Sequence, residues 1–419
     1  MAPFKGGEKK DVASAVMFGG CSDKHCKHLL DDTWISRAQG WSKLMITGPS
    51  RRRSFKMAYL GIIKTSPQVL LFGGACKPGF DLKQVGISCQ EDETTWSFDG
   101  SWHHVVINNQ SSIPSPRYKH SMASYSADVS EALPFLQVVM LGGTDNLGAK
   151  TTITNSRTFT FTPDTSVPAK GTWSVSVVST PSARSAFSMT SVSSTPGVGQ
   201  RLDIPATVVL FGGQLAEQNV DCNNFFSDET WEWQLDKWVH QFKKHETNWP
   251  IARHWHTMVG MQDRFGNRFA LLYGGLGGCK KENFHTFNDT WVYTPKNHAA
   301  FGQKSPWTDI SFKYKQTNTL IMPVRKFHAM SVYDVGLVVV FGGSDDTDND
   351  NHMPDTVLLF DVKTGWRLLA SKANSTGGST PTGRVALGEI HIITKEPIIF
   401  FFFFLTFFLF CLISLFFSL

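Results

Sequence analysis

The feature that most constrains this chain is a repeated unit with four marks in a fixed order. Each repeat has an apolar run ending in two glycines, a Thr-Trp step, a second Trp and a Pro-x-x-Arg motif. The clearest example has VVLFGG at 208–213, DETW at 228–231, Trp238 and PIARHWH at 250–256. Such a pattern indicates a repeat protein, because one unit cannot bury its apolar face alone and its neighbours must cover it.

The same marks can be followed through six repeats. The glycine pairs end at Gly20, Gly74, Gly143, Gly213, Gly275 and Gly343. The Thr-Trp step falls at Trp34, Trp96, Trp231 and Trp291 and is replaced at Phe159 and Val357. The second Trp is found at Trp41, Trp102, Trp173, Trp238, Trp307 and Trp366. The arginines are Arg52, Arg117, Arg184, Arg253, Arg325 and Arg384, with Pro323 one residue closer than in the other repeats.

Each repeat predicts four short strands. An apolar run that ends in Gly-Gly is typical of a buried strand with a tight exit, because glycine reaches backbone angles that a side chain forbids. The two Trp segments predict a hairpin, and the arginine begins a further alternating strand. The 13 Trp and 33 Phe residues suit small sheets that bury aromatic faces against their neighbours.

This ordered series resembles the kelch-repeat β-propeller family over roughly residues 12–394. The resemblance implies an all-β fold, a six-bladed propeller, and a non-catalytic scaffold or receptor that binds other proteins. We find no BTB or F-box segment that would link it to a ubiquitin ligase. A length of 419 residues could hold two or three domains, but one closed propeller of many short sheets also accounts for it.

The ends of the repeat region predict how the ring closes. The first repeat begins directly at its Gly-Gly strand, whereas RVALGEIHIIT at 384–394 is an Arg-led strand left over after the sixth. Pairing the two would remove exposed sheet edges. The predicted organisation is a polar lead at 1–11, a propeller at 12–394 and a hydrophobic tail at 397–419.

The family resemblance also implies that the repeat arginines surround the central channel on one face, where partners bind. Guanidinium groups match carboxylates with two parallel hydrogen bonds. We therefore predict a partner-binding face for an acidic or carboxylate-bearing peptide. Its residues would be Arg52, Arg117, Arg184, Arg253, Arg325 and Arg384. The alternative is that each arginine pairs with an acid or a backbone carbonyl of a neighbouring blade.

Several side chains resemble metal ligands, but we predict no metal and no cofactor. Three of the Arg-led strands continue as Arg-x-x-His, at His120, His256 and His328, and the others hold Phe55, Phe187 and Leu387. Apolar residues at the equivalent position favour packed core histidines over zinc ligands. The acidic run DDTDNDN at 345–351 resembles a calcium loop but lacks its glycine and its final glutamate.

An enzymatic alternative rests on Glu232, Asp236 and His240. Their E-x-x-x-D-x-x-x-H spacing is similar to the iron-binding signature of plant kelch specifier proteins, and carboxylate and imidazole ligands suit ferrous iron. The Trp hairpin of the repeat also explains this spacing. Galactose oxidase shares a kelch propeller, but its copper chemistry needs a Cys–Tyr crosslink that we cannot place here. We therefore expect no enzyme activity.

Charge and cysteine content bear on partners and compartment. The net charge of +5 and the lack of a basic, aromatic-interleaved run do not favour nucleic-acid binding. Residues 1–11 lack the apolar core of a secretory signal, which predicts a cytoplasm-facing protein with reduced thiols. The alternative is an upstream signal with bridges Cys21/Cys26, Cys76/Cys89 and Cys222/Cys279.

The tail at 397–419 is apolar and uncharged. As a helix rising about 1.5 Å per residue it would span the ~30 Å core of a bilayer, which predicts a tail anchor and possible membrane attachment. Its Phe, Leu, Ile, Ser and Cys residues also match translation of a polypyrimidine tract, so a read-through segment is the alternative. A GPI signal is disfavoured because no polar spacer precedes the tail. The oligomeric state and the partner's identity are not predicted.

Overall fold

The computed structural model describes the chain in seventeen ranges, 15–23, 26–37, 40–63, 66–76, 95–125, 137–145, 152–153, 157–192, 207–215, 226–243, 248–278, 284–295, 305–311, 323–334, 336–344, 357–370 and 391–392. Within these ranges the chain forms short β-strands, and the one helical element there is a 3-10 turn at Gln110–Ser112. The all-β class predicted from the sequence is confirmed.

The strands of the first half are β1 Ala15–Phe18, β2 Thr33–Arg37, β3 Gly40–Leu44, β4 Lys56–Ile63, β5 Ser66–Phe72, β6 Trp96–Phe98, β7 Trp102–His104, β8 Val106–Ile107, β9 Ser121–Tyr125, β10 Gln137–Leu141, β11 Thr144–Asp145, β12 Thr152–Ile153, β13 Thr158–Pro163, β14 Lys170–Ser176, β15 Arg184–Ser185 and β16 Ser188–Val192.

Those of the second half are β17 Thr207–Phe211, β18 Gln214–Leu215, β19 Thr230–Gln234, β20 Lys237–Gln241, β21 Arg253–His254, β22 Thr257–Gln262, β23 Arg268–Tyr273, β24 Leu276–Gly277, β25 His285–Thr286, β26 Thr290–Tyr293, β27 Trp307–Asp309, β28 Ala329–Asp334, β29 Leu337–Phe341, β30 Val357–Asp361, β31 Gly365–Ala370 and β32 His391–Ile392.

Six of the described sheets have four or five strands, and each contains one Gly-Gly strand. Their strand orders are β3-β2-β1-β32, β4-β5-β6-β7, β8-β14-β13-β10-β9, β16-β17-β19-β20, β22-β23-β26-β27 and β28-β29-β30-β31. Three smaller sheets are β11-β12, β15-β18 and β21-β24-β25. The Trp hairpin appears as predicted, since β19 and β20 pair with Trp233 opposite Trp238.

The hydrophobic core lies between neighbouring sheets. Every residue of β17 is buried, because this apolar strand has partners on both sides and is covered on both faces. Phe211 of β17 packs with Met258 of β22 and Trp307 of β27, which belong to the next sheet along the chain. Each sheet is therefore stabilised by burying its aromatic face on its neighbour.

The Thr-Trp and second-Trp marks are explained by a hydrogen bond between successive sheets. In five of the six repeats the indole Nε1–H of the second Trp donates to the Thr hydroxyl of the preceding repeat, at 2.9–3.0 Å. The pairs are Trp102 to Thr33, Trp173 to Thr95, Trp238 to Thr158, Trp307 to Thr230 and Trp366 to Thr290. This bond satisfies a polar group that the packing of the indole would otherwise bury without a partner.

The glycine pairs permit a close approach between repeats. Gly73 and Gly74 have φ values of +70° and +112°, in the left-handed region that favours glycine. The N–H of Gly74 donates to the carbonyl of Arg117 at 2.9 Å, and a Cβ at Gly73 would lie 2.4 Å from the same oxygen. A side chain at Gly73 would therefore push two sheets apart.

The two ends of the described chain meet in the first sheet. β32 pairs antiparallel with β1, with Ile392 opposite Ala15 and His391 opposite Val16. The rest of the predicted closing strand at 384–394, including Arg384, lies outside the described residues. So does the polar lead at 1–11.

The cysteines correct one sequence expectation. Cys21 and Cys26 form a disulfide with a Cα–Cα distance of 4.9 Å, and Cys76 is also disulfide-bonded, so these three are not reduced thiols. The turn between Cys21 and Cys26 holds the pair at bridging distance, because the carboxylate of Asp23 accepts the N–H groups of Lys27 and His28. Cys89, Cys222 and Cys279 lie outside the described residues.

Within the described ranges we find no helix with the length and apolar character needed to cross a bilayer. The tail at 397–419, where a helix was predicted, is outside those ranges, as is the acidic run at 345–351.

Candidate functional site

Five short segments that begin at the repeat arginines meet around one centre, and we call them the inner segments. They are residues 52–56, 117–121, 184–188, 253–257 and 325–329. The third residue of each has a φ of 55–60°, although none is glycine. These residues are Ser54, Lys119, Ala186, Trp255 and Phe327. This backbone conformation costs roughly 1–2 kcal/mol for a residue with a Cβ, so the surrounding structure must impose it.

Backbone hydrogen bonds between the inner segments impose that conformation. The N–H of each third residue donates to the carbonyl of the third residue in the preceding segment. The bonds run from Lys119 to Ser54 at 2.9 Å, Ala186 to Lys119 at 2.8 Å, Trp255 to Ala186 at 2.9 Å and Phe327 to Trp255 at 3.2 Å. The five segments are thus held side by side, and the identity of the third side chain can vary.

These segments line a depression that is open to solvent, which we call the central depression. Its lining residues include Lys56, Lys119, Trp255 and Phe327 together with His120, His256 and His328. None of the described lining residues is acidic. The depression therefore combines cationic and aromatic side chains, which favours an anionic ligand with an apolar part.

The repeat arginines do not form the exposed face that the sequence predicted. The five described ones are at most 2% exposed. Each donates from one terminal nitrogen to the carbonyl of the first glycine of the following Gly-Gly pair, which are Gly73, Gly142, Gly212, Gly274 and Gly342. In four of them Nε donates to the backbone carbonyl two residues earlier. We call these five residues the arginine clamps.

Neighbouring acids complete two of the clamps. Arg184 bonds Glu229, and Arg253 bonds Asp289 with two hydrogen bonds of 2.5 and 2.7 Å. Burial lowers the pKa of Arg184, and Glu229 opposes that shift. The described arginines therefore contact backbone carbonyls and acids, as the alternative interpretation of the sequence expected. A buried guanidinium needs such acceptors. Arg384 is outside the described residues, and partner binding by the arginines stays a prediction.

The three repeat histidines of the lining are almost fully buried. His256 packs edge-on against Phe211 at 5.5 Å and His328 against Tyr273 at 5.3 Å. Burial and, to a smaller extent, the charge of Arg325 together lower the pKa of His328 to about 3. The pKa values of His120 and His256 are also lowered by burial and by their arginines, and Lys56 contributes to all three shifts. The three imidazoles are therefore neutral near pH 7.

The described residues contain no group of three or more His, Cys, Asp or Glu side chains that could hold a metal ion. The predicted iron alternative illustrates why. Glu232 faces the next sheet and accepts a hydrogen bond of 2.6 Å from Tyr293, whereas Asp236 accepts one of 3.0 Å from Tyr125 of the preceding sheet.

His240 lies on the opposite face of the hairpin from Glu232. It stands opposite Trp231 in the ladder and stacks on that indole with centroids 4.4 Å apart, while Glu232 stands opposite Val239. Cross-strand partners share a face, and successive residues alternate between faces. The E-x-x-x-D-x-x-x-H spacing therefore places its residues apart and does not form an iron site.

Lys119 is a cation of the central depression that has no described carboxylate partner. Its Nζ lies 5.5 Å from the ring centroid of Tyr118 and 5.8 Å from that of Trp255. No described acid lies within ion-pair distance of this amine. Burial and, to a smaller extent, the nearby Arg53 together lower the pKa of Lys119 to about 8.

Lys56 is the second cation of the lining. It is the fifth residue of its inner segment, where the others hold Ser121, Ser188, Thr257 and Ala329. Ser121 and Ser188 accept hydrogen bonds of 3.0 Å from the N–H groups of Met189 and Met258. Lys56 also has no ion-pair partner among the described acids. Its charge contributes to the lowered pKa of all three buried histidines.

Aromatic side chains form one wall of the central depression. Trp255 contacts Phe327 with ring centroids 4.1 Å apart and stacks on His254 at 3.8 Å. Phe327 in turn packs against the Cys21–Cys26 disulfide and Leu29. The indole Nε1 of Trp255 is buried and has no hydrogen-bond partner in the described part of the chain.

The repeat pattern did not single out Lys56, Lys119, Trp255 and Phe327. It pointed to residues that recur in every repeat, and recurrence marks what all the sheets need. The signal in the sequence that could have found them is variation between repeats. Aligning the inner segments on their arginines shows positions at which the side chain differs from repeat to repeat.

No protein-family model matches the chain, and no curated protein matches it significantly. Among solved structures, YjhT is similar with a TM-score of 0.50 and 10% identity, over 84% of this chain and 97% of that one. A cryo-EM structure of RAG in complex with one melted and one unmelted RSS has a TM-score of 0.48 and 15% identity, over 78% and 84% of the two chains. The first match supports a β-propeller-like fold.

Proposed function

We propose that the chain is a six-bladed kelch-type propeller closed by its two ends. The six sheets of four or five strands, each with one Gly-Gly strand, correspond to the six repeats of the sequence. The pairing of β32 with β1 supports closure, because the first sheet would otherwise lack its fourth strand. Closure of this kind protects the strand edges of an all-β protein.

This propeller acts as a non-catalytic binding module for an acidic or carboxylate-bearing peptide, and the central depression is the binding site. The observation that supports this proposal is the pair Lys56 and Lys119, which line an open depression without a described carboxylate partner. Each of these ammonium groups lacks a described counter-ion in the depression, and a bound carboxylate would supply one.

The repeat arginines have a different part in this function. As clamps they hold the inner segments and the Gly-Gly turns in place, and they thereby fix the two lysines and the aromatic wall. Trp255 and Phe327 offer an apolar surface next to the cations. A peptide that carries a carboxylate close to an apolar side chain fits both features.

The disulfides favour the alternative compartment. Bridges such as Cys21–Cys26 form and persist in oxidising surroundings and are rare in the cytosol. We therefore place the propeller in an oxidising compartment as part of the proposal, which replaces the expectation of a cytoplasm-facing protein. Counting free thiols in protein isolated from its native source under alkylation tests this. Alkylation of Cys21 and Cys26 without prior reduction would contradict it.

Binding to an array of random octapeptides tests the proposed site. Each peptide is printed with a free C-terminal carboxylate and again with a C-terminal amide. The wild-type chain is compared with a Lys56→Gln/Lys119→Gln double variant. Its charge-matched control is Lys237→Gln/Lys363→Gln, which alters two exposed lysines. All three proteins should first show the same unfolding midpoint.

We expect the wild type and the control to bind the same peptides, chosen for acidic residues or a free carboxylate. Binding by the Lys56→Gln/Lys119→Gln variant should be weaker by about tenfold or more, since a hydrogen bond to a charged group contributes roughly 1.5–3 kcal/mol. Equal binding by the two variants would contradict the proposal and move the site away from the central depression.

A further inference from the structure

Lys119 differs from the other described lysines in its surroundings. Its side chain is partly buried, lies beside the Trp255 ring and has no described carboxylate near it. Its backbone is fixed on both sides, because its N–H donates to Ser54 and its carbonyl accepts from Ala186. The main chain of Lys119 is thus held in place, and its Nζ lies beside the Tyr118 and Trp255 rings in the central depression.

Burial and one neighbouring cation disfavour the charged form of this amine. Arg53 of the preceding segment is a cation, and burial together with Lys119 itself keeps His254 of the fourth inner segment neutral by lowering its pKa. Tyr118, whose ring lies 5.5 Å away, adds a neutral phenol. A larger fraction of the Lys119 amine is therefore neutral near pH 7.5 than for a lysine in water.

A neutral, positioned lysine amine is a nucleophile toward carbonyl compounds. Lys56 lines the same depression and supplies a cation that can hold an anionic group of the incoming molecule. The aromatic wall of Trp255 and Phe327 offers a surface for a flat or apolar part of it. Reactive amine, anion site and aromatic wall are thus present together.

We infer that Lys119 is a covalent adduct site for aldehydes that carry a carboxylate or phosphate group. The neutral Nζ adds to the carbonyl carbon, and the carbon–oxygen π bond breaks to give a carbinolamine. The carbinolamine loses its hydroxyl and one nitrogen-bound proton as water, and a C=N bond forms. No oxidant or reductant is needed. The inference rests on the proposed anion-binding function, because Lys56 recruits the aldehyde.

Labelling with pyridoxal 5′-phosphate tests this inference on the full chain. The protein is treated with the aldehyde at pH 7.5, reduced with borohydride to trap the imine, digested and mapped by mass spectrometry. Lys237 and Lys363 in the same sample are internal references, because both are exposed. The experiment is repeated with pyridoxal, which lacks the phosphate, and with Lys56→Gln and Lys119→Arg variants.

We expect Lys119 to be labelled about tenfold faster than the two exposed lysines, because more of its amine is neutral at this pH. Lys56→Gln should slow labelling by pyridoxal 5′-phosphate and leave labelling by pyridoxal within about twofold. Labelling of Lys119 no faster than that of Lys363 would overturn the adduct site, whatever the result for peptide binding. Lys119 could instead be labelled fast by both aldehydes and equally fast in Lys56→Gln. That result would overturn recruitment by Lys56 and count against the proposed anion site, but it would leave Lys119 as a reactive amine.

Discussion

Two sets of cations surround the centre of this molecule, and their surroundings are opposite. The arginine clamps are buried, and their donors are used by glycine carbonyls, backbone carbonyls and the acids Glu229 and Asp289. Lys56 and Lys119 line the central depression and have no described carboxylate partner. The clamp arginine recurs in all five described inner segments, whereas a lysine at the position of Lys56 or of Lys119 occurs in only one of them.

This difference separates the residues that build the fold from those that can bind a ligand. A charged residue that recurs from repeat to repeat has a structural role that the sheets share. Here that role is to donate a hydrogen bond to the Gly-Gly turn. A charged residue that occurs in one repeat only does not have this shared structural role. We therefore expect substitutions in the clamps to change stability and substitutions at the two lysines to change binding.

The largest expected effect comes from removing a complete clamp. Arg253→Ala removes both guanidinium donors of Asp289, which keeps only the Trp291 indole, and removes the arginine donor of the Gly274 carbonyl. Breaking a buried pair in this way costs about 3–5 kcal/mol of unfolding free energy. Urea denaturation measures it, with Arg51→Ala as the control because Arg51 is exposed and only weakly paired. Equal losses in the two variants would break the distinction between clamps and other cations.

A second test concerns the turns that the clamps bind. Gly274→Ala places a Cβ 2.4 Å from the carbonyl of Arg325, in addition to the strain of its φ of +66°. Gly336→Ala has a similar φ of +73°, but its Cβ would meet only Val362 at 3.9 Å. We expect a loss of about 2–4 kcal/mol at Gly274 and about 1 kcal/mol at Gly336. Similar thermal unfolding shifts in both would show that close approach to the clamp is not required.

The Trp-to-Thr bond should contribute less than a clamp. Thr230→Val removes the acceptor of the Trp307 indole and leaves a buried N–H without a partner. The expected loss is about 1–3 kcal/mol. A double-mutant cycle with Trp307→Phe separates the bond from the packing, because the coupling between the two changes measures the bond alone. A coupling near zero would mean that the indole contributes by packing only.

The smallest expected effect is a pH dependence at His328. Its folded pKa of about 3 lies below the unfolded value of about 6.5. The unfolded chain therefore binds more protons as the pH falls below about 6.5, and stability is lost toward lower pH by up to about 1 kcal/mol per pH unit. His328→Phe, which copies Phe55 and Phe187 of other repeats, should flatten the slope between pH 6.5 and 5. An unchanged slope would show that this histidine is charged in the folded protein.

The fold was predictable from the sequence because its marks are local and recur. Val208 to Gly213 predicts a buried strand with a tight exit, and β17 with its glycine turn has that form. The Trp hairpin follows from Trp231 and Trp238 in the same way. Each of these marks needs the same neighbours in every repeat, so the pattern alone carries the information.

The site was not predictable by that route. The sequence around Arg253 is the same whether its guanidinium faces solvent or Gly274. Only the register of the sheets determines which of the two the guanidinium contacts. Lys119 is one lysine among many until the backbone places it beside Trp255 in the depression. The disulfide at Cys21 and Cys26 was misassigned because compartment was inferred from residues 1–11, whereas the geometry of the turn allows the bond.

The central claim is that anions bind at the two lysines and not at the arginine clamps. Anomalous diffraction from crystals soaked in sodium bromide measures this directly, because bromide is a small anion with a strong anomalous signal. We predict a bromide in the central depression within hydrogen-bond distance of Lys56 or Lys119, and its loss in the Lys56→Gln/Lys119→Gln variant. Bromide bound only at exposed lysines or at the guanidinium groups, with an empty depression, would contradict this claim.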